Sequence, residues 1–66
     1  MELIVNGEKI VFSEGNTVQQ LLEQLHLADR PVAVERNGEI IIYSMFAQTE
    51  LVGGDSLEIV TLVGGG

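Results

Sequence analysis

The chain closes with Leu57-Glu58-Ile59-Val60-Thr61-Leu62, an apolar run that passes directly into Val63-Gly64-Gly65-Gly66. Successive side chains of a strand point to opposite faces, so Leu57, Ile59 and Thr61 are predicted to share one face of a final strand. The glycines have no Cβ and visit positive φ as easily as negative, so they are poor candidates for a packed core. We therefore predict a folded domain over residues 1–62 and a flexible tail over residues 63–66.

The tail predicts a function for the terminal carboxylate. Four extended residues reach roughly 13 Å, enough to enter a narrow enzyme channel. The α-carboxylate of Gly66 is the predicted reacting group, and Gly65, Gly64, Val63 and Leu62 are the predicted partner-binding residues. Leu62 and Val63 could instead belong to the core. A frayed end or a tag remnant is a weaker interpretation, because no serine interrupts the glycines and no tag-like sequence accompanies them.

The start of the chain predicts a β-hairpin. The apolar run Leu3-Ile4-Val5 is followed at once by Asn6-Gly7, the pair that best accepts the positive φ angles of a type I′ turn. Lys9 to Phe12 is the predicted return strand. Its alternation places Ile10 and Phe12 on one face.

An amphipathic helix is predicted next. Thr17 and Gln20 have the spacing of a capping box, and apolar residues then recur at helical intervals. We expect a helix from Val18 to Leu27 that lies across a sheet, ending before Pro31, which disfavours helical backbone at the residue preceding it. The apolar stripe consists of Val18, Leu21, Leu22 and Leu25.

The remaining elements complete a β-grasp. A strand over Val32–Arg36, an Asn37-Gly38 turn and an extended segment over Glu39–Ile42 precede a short 3₁₀ turn whose Phe46 fills the core. Gly53-Gly54-Asp55 is a predicted tight turn before the last strand. We predict an α+β, ubiquitin-like β-grasp: a mixed sheet of four to five strands with one main helix across one face and the two terminal strands adjacent in the middle.

Composition excludes several functions. There is no cysteine, hence no disulfide, no cysteine zinc site and no thiol nucleophile. His26 has no neighbour at metal-ligand spacing and is expected to face solvent near the helix C-terminus, so we predict no metal site. The formal net charge of -7 argues against nucleic acid and anionic membranes. It favours a basic protein partner, and solubility alone explains it almost as well. No apolar run is long enough to span a bilayer, so a cytoplasmic protein is expected.

Four segments together resemble the ThiS family of sulfur carriers. They are Val5-Asn6-Gly7-Glu8, the stretch from Val32 to Ile40, the stretch from Gly54 to Val60, and the glycine tail. The resemblance covers the whole chain. One departure follows Ile40, where Ile42 and Tyr43 stand in place of an expected proline and basic residue; no role is inherited for this loop.

The resemblance implies a role in thiamine biosynthesis. It implies that a ThiF-like adenylyltransferase, using ATP and magnesium, activates Gly66, and that sulfur from a donor protein then replaces AMP to give a thiocarboxylate. Thiazole synthase would take that sulfur into the thiazole ring. This chain would bind no cofactor itself and would serve as a co-substrate, since it offers no groups to hold ATP or developing charge.

Two alternatives share the fold and the glycine end. One is a sulfur carrier of another pathway, like the small subunit of molybdopterin synthase, although those subunits tend to be longer. The other is a ubiquitin-like modifier that joins its terminus to lysines. Lys9 is the only lysine, which limits self-conjugation through side chains but leaves single conjugation open.

Overall fold

The computed structural model describes residues 1–62, which form one mixed sheet covered on one face by a helix. The strands are ordered β2-β1-β5-β3-β4, with β1 and β5 parallel and the other neighbours antiparallel. The predicted β-grasp is confirmed, including the two terminal strands lying side by side inside the sheet. The elements are β1 Glu2–Val5, β2 Glu8–Val11, α1 Val18–Gln24, β3 Val32–Arg36, β4 Glu39–Ile41, a 3₁₀ turn Tyr43–Met45 and β5 Ser56–Thr61.

Strand β5 joins the two halves of the sheet. Its residue Leu57 lies beside Val5 of β1, and Ile59 lies beside Val34 of β3. Leu57 and Ile59 are buried, as their alternation predicts, whereas Thr61 lies exposed beyond the core. Strand β5 begins and ends one residue earlier than the predicted Leu57–Leu62.

Both Asn-Gly pairs form the predicted turns. Asn6 and Gly7 have φ angles of 51° and 85°, and Asn37 and Gly38 have 50° and 85°. Two successive positive φ angles are the signature of the type I′ turn, whose twist matches that of the flanking strands. The hairpins β1–β2 and β3–β4 are therefore set by local sequence.

The helix begins as predicted but ends earlier. Thr17 and Gln20 form the complete capping box, whereas the helix ends at Gln24, so the predicted end at Leu27 is wrong. His26 adopts a φ of 60°, and the Leu27 N–H donates to the Leu22 carbonyl at 2.8 Å. This Schellman-type closure satisfies the last carbonyls and turns Leu27 back onto the core.

The core lies between α1 and the sheet. The helix contributes Val18, Leu21 and Leu22, and Phe46 enters from the 3₁₀ turn as predicted. The rest of the buried apolar set comes from the strands and loops: Leu3, Val5, Phe12, Val34, Leu51, Leu57 and Ile59. Among residues 1–62, no helix is long and apolar enough to cross a membrane.

Candidate functional site

Leu62 is the last described residue and follows directly on β5. Its N–H donates to the Pro31 carbonyl at 2.9 Å, which continues the β3–β5 ladder by one residue. Its side chain is 52% exposed, so it is outside the core. The partner contact predicted for Leu62 stays a prediction. Val63, Gly64, Gly65 and Gly66, the other predicted site residues, lie outside the described part of the chain.

A groove lies beside Leu62. It has a volume of about 590 Å³ and is bordered by the helix, the loop before β3 and the 3₁₀ turn. Tyr43 forms part of its wall and stacks on Phe46 with ring centroids 5.6 Å apart. The end of β5 therefore has the groove on the side of the sheet that faces the helix, and the uncovered face of the sheet on the other side.

The uncovered face of the sheet carries both apolar and acidic side chains. Because Leu57 and Ile59 point into the core, Glu58 and Val60 point away from it. Val60 lies beside Ala33 in the register, and Glu58 lies beside Glu35, whose other neighbour is Ile40. Val60 is 58% exposed and Ile40 is 76% exposed. No element of residues 1–62 covers this face.

Asp55 fixes the start of β5 through a network that the sequence did not reveal. Its carboxylate accepts hydrogen bonds from Arg36 Nε, Asn37 Nδ2 and the Val52 N–H, each at 3.0 Å. Burial alone raises the pKa of Asp55, but the hydrogen bonds from Val52 and Asn37 and the charge of Arg36 outweigh it and lower that pKa below its ordinary value. The carboxylate therefore stays ionised and ties the turn before β5 to the β3–β4 hairpin.

Two asparagine side chains also hold β5. Asn6 accepts a hydrogen bond from the Ile59 N–H at 2.8 Å and donates one to the Ile59 carbonyl at 3.0 Å. Asn37 accepts one from the Ser56 N–H at 3.0 Å. Each asparagine was predicted only as a turn residue. The turn chemistry gives no signal of these second contacts, because their partners lie far along the chain.

No metal site emerges from the described residues. Within residues 1–62, no group of three or more histidine, aspartate or glutamate side chains is placed to hold an ion. His26 is exposed and occupies the residue that follows the helix C-cap. The structural role of His26 is to end the helix, through the positive φ described above.

A family model described as the ThiS family matches residues 1–66, the whole chain. The chain belongs to the ThiS family. The resemblance noted in the sequence is thereby confirmed, and the match spans the glycine tail as well as the domain.

Relatives and a solved structure agree with membership of the ThiS family. The sulfur carrier protein ThiS of Bacillus subtilis is 40% identical over 65 residues, covering 97% of this chain and 98% of that protein. A crystal structure of the thiamine biosynthesis protein ThiS from Geobacter metallireducens matches with a TM-score of 0.82 and 36% identity, covering 100% of both chains.

A third relative is much longer. The thiazole synthase of Paramagnetospirillum magneticum is 50% identical to this chain over 66 residues, which is 100% of this chain and 20% of that protein. A ThiS-like segment is therefore part of a chain named for thiazole synthesis in that organism.

Proposed function

We propose that this member of the ThiS family, a sulfur carrier of thiamine biosynthesis, carries its sulfur as a thiocarboxylate on Gly66. The observation that carries the proposal is the family match across all 66 residues, a range that includes the glycine end. It is supported by the position of β5 close to that end: within residues 1–62 the β3–β5 ladder extends to Leu62, four residues before Gly66.

The proposed chemistry begins with activation of the carboxylate. A carboxylate is a poor electrophile until one of its oxygens becomes part of a good leaving group. In the proposed first step an oxygen of the Gly66 carboxylate attacks the α-phosphorus of ATP, pyrophosphate leaves, and an acyl adenylate remains. In the second, a sulfur nucleophile from a donor protein attacks the acyl carbon and AMP leaves. Where the nucleophile is the terminal sulfur of a donor persulfide, a thiol then attacks the donor's inner sulfur and forms a disulfide with the donor. The electron pair of the broken S–S bond stays on the sulfur attached to Gly66, which gives the thiocarboxylate.

The groups that bind ATP and magnesium are assigned to a ThiF-like adenylyltransferase. We propose that this chain acts as co-substrate and not as catalyst, since its reacting atom belongs to the backbone terminus. Gly65 and Gly64 are proposed to keep the tail thin, because a Cβ at either position widens it and narrows the accessible φ range. Val63 and Leu62 are proposed to contact the partner where the tail enters.

Thiazole synthase is the proposed consumer of the sulfur. The relative from Paramagnetospirillum magneticum supports this partnership, because a segment similar to this whole chain lies within a protein of that name. A cytoplasmic location follows from the same proposal, since activation requires ATP.

The test is the mass of the carrier after incubation with the adenylyltransferase, ATP and a sulfur source. We expect an increase that corresponds to replacement of one oxygen by sulfur. Gly65→Val and deletion of Gly66 are expected to abolish ATP–pyrophosphate exchange while circular dichroism remains unchanged.

A matched control is Gly53→Ala, which adds a Cβ where no atom lies within 4 Å. It is expected to be activated at the wild-type rate. If Gly65→Val and the deletion variant are also activated at that rate, the tail is not the reacting segment and the proposal is wrong.

A further inference from the structure

The uncovered face of the sheet contains two glutamates in directly opposite positions. The register pairs Glu35 of β3 with Glu58 of β5, and both side chains are exposed. Like charges directly opposite on one face of a sheet destabilise it. Among residues 1–62 the ion pair that forms is Arg36 with Asp55, so neither glutamate belongs to an ion pair in this part of the chain.

Apolar side chains border the pair on the same face. Ile40 lies beside Glu35 on β4, and Ala33 and Val60 lie one step further along β3 and β5. Protein interfaces commonly combine an apolar centre with charged groups that select the partner. The arrangement therefore fits a protein surface that presents a cation beside apolar side chains.

We propose that thiazole synthase docks on this face and places an arginine or lysine over Glu35 and Glu58. The inference rests on the proposed function, which supplies the partner. An arginine suits the position best, because its planar guanidinium donates several hydrogen bonds and can bridge two carboxylates. The two glutamates then destabilise the free carrier, and in the complex they contribute to recognition of thiazole synthase.

A second copy of the carrier is a poorer occupant. Each copy has a formal net charge of -7, and two such faces brought together would place four glutamates at one interface. Self-association of this face is therefore opposed by charge, whereas a basic partner is attracted.

The test compares Glu35→Gln, Glu58→Gln and the double variant with the wild type. The binding partner is purified thiazole synthase from the same organism, with affinity measured by calorimetry. Each single variant is expected to raise the midpoint temperature of unfolding of the free carrier. Each is also expected to weaken binding by on the order of tenfold, as is typical when one member of an interfacial charge pair is lost.

Glu23→Gln is the matched control, because it removes the same charge from the exposed surface of α1. It is expected to leave the affinity within about twofold of wild type, since a distant exposed charge contributes little at physiological salt. If Glu35→Gln and Glu58→Gln weaken binding no more than Glu23→Gln does, the docking inference is overturned. A carrier that forms dimers lost in these variants would also overturn it, in favour of a second copy.

Failure of the docking inference can be separated from failure of the proposed function. Thiocarboxylate formation is measured on the same variants with the adenylyltransferase, ATP and a sulfur source. If the wild type forms the thiocarboxylate but thiazole synthase binds all variants equally, only the docking inference is wrong. If the variants lose activation and keep their affinity for thiazole synthase, the face serves the adenylyltransferase and the assignment to thiazole synthase is overturned.

Discussion

At the scale of single residues, Asp55 joins the turn before β5 to the β3–β4 hairpin through its buried carboxylate. It is 5% exposed and accepts from Arg36, Asn37 and Val52. Asp55→Asn removes the charge and one acceptor while keeping the size. We expect a loss of about 1.5–3 kcal/mol in the free energy of unfolding, the range for hydrogen bonds to a charged group. Urea unfolding near neutral pH measures it.

The pH dependence of the free energy of unfolding tests the same carboxylate, because acid protonates it in the wild type and Asp55→Asn has no carboxylate to protonate. The pKa of Asp55 is lowered in the folded state, so its stabilising contribution is full above the unfolded pKa of about 3.9 and is lost as pH falls through the folded value. Between about pH 4 and pH 2 the wild type should therefore lose more stability than Asp55→Asn. If the two proteins lose the same free energy of unfolding over this pH range, the fold does not stabilise the ionised form of Asp55.

His26 carries backbone strain that glycine would relieve. Its φ of 60° lies in the left-handed region, where a side chain costs free energy and glycine does not. We expect His26→Gly to raise the free energy of unfolding by about 0.5–1 kcal/mol. His26→Ala is the control, because it removes the imidazole but keeps the Cβ. An equal gain from both variants would mean that the imidazole, and not the backbone, was unfavourable.

At the scale of elements, the sequence predicts what is decided locally. The Asn6-Gly7 and Asn37-Gly38 turns, the Thr17–Gln20 capping box and the strand alternation each depend on neighbouring residues, and all are confirmed. The end of the helix was missed because it depends on His26 taking a conformation usually left to glycine. The hydrogen bonds between the Asn6 side chain and the Ile59 backbone were missed because the two residues are 53 positions apart. For the site, the sequence predicted Leu62 and the tail, but not the Glu35–Glu58 pair, which depends on strand register.

The helix stripe gives the prediction that belongs to this scale. Leu22 is 2% exposed and belongs, with Phe46, to the buried core cluster. Leu22→Ala removes buried methyl groups and leaves a cavity, so we expect a loss of about 2–5 kcal/mol in the free energy of unfolding. Glu23→Ala, on the exposed side of the same turn, should change stability by less than about 0.5 kcal/mol. If the two variants are equally stable, the packing described for α1 is wrong.

At the scale of the whole molecule, the sheet is held together by its last strand. Hairpin β1–β2 and hairpin β3–β4 both pair with β5, so the last strand of residues 1–62 is also the central strand of the sheet. Two side chains bind the backbone of that strand, Asn6 at Ile59 and Asn37 at Ser56. The Asp55 carboxylate binds the Val52 N–H in the turn before it. The reacting end proposed for Gly66 therefore follows the central strand of the described fold, which gives a partner a well-ordered surface beside that end.

The charge of the whole molecule gives the last prediction. With 10 acidic and 3 basic side chains, the carrier should be drawn towards a basic partner surface during encounter. Raising the ionic strength from about 0.1 M to about 1 M shortens the Debye length from roughly 10 Å to roughly 3 Å, so association with the adenylyltransferase should slow. Stopped-flow rates at several salt concentrations measure the effect, and the dissociation rate serves as the internal control because steering acts mainly on association. An association rate that does not change with salt would leave solubility as the explanation for the net charge.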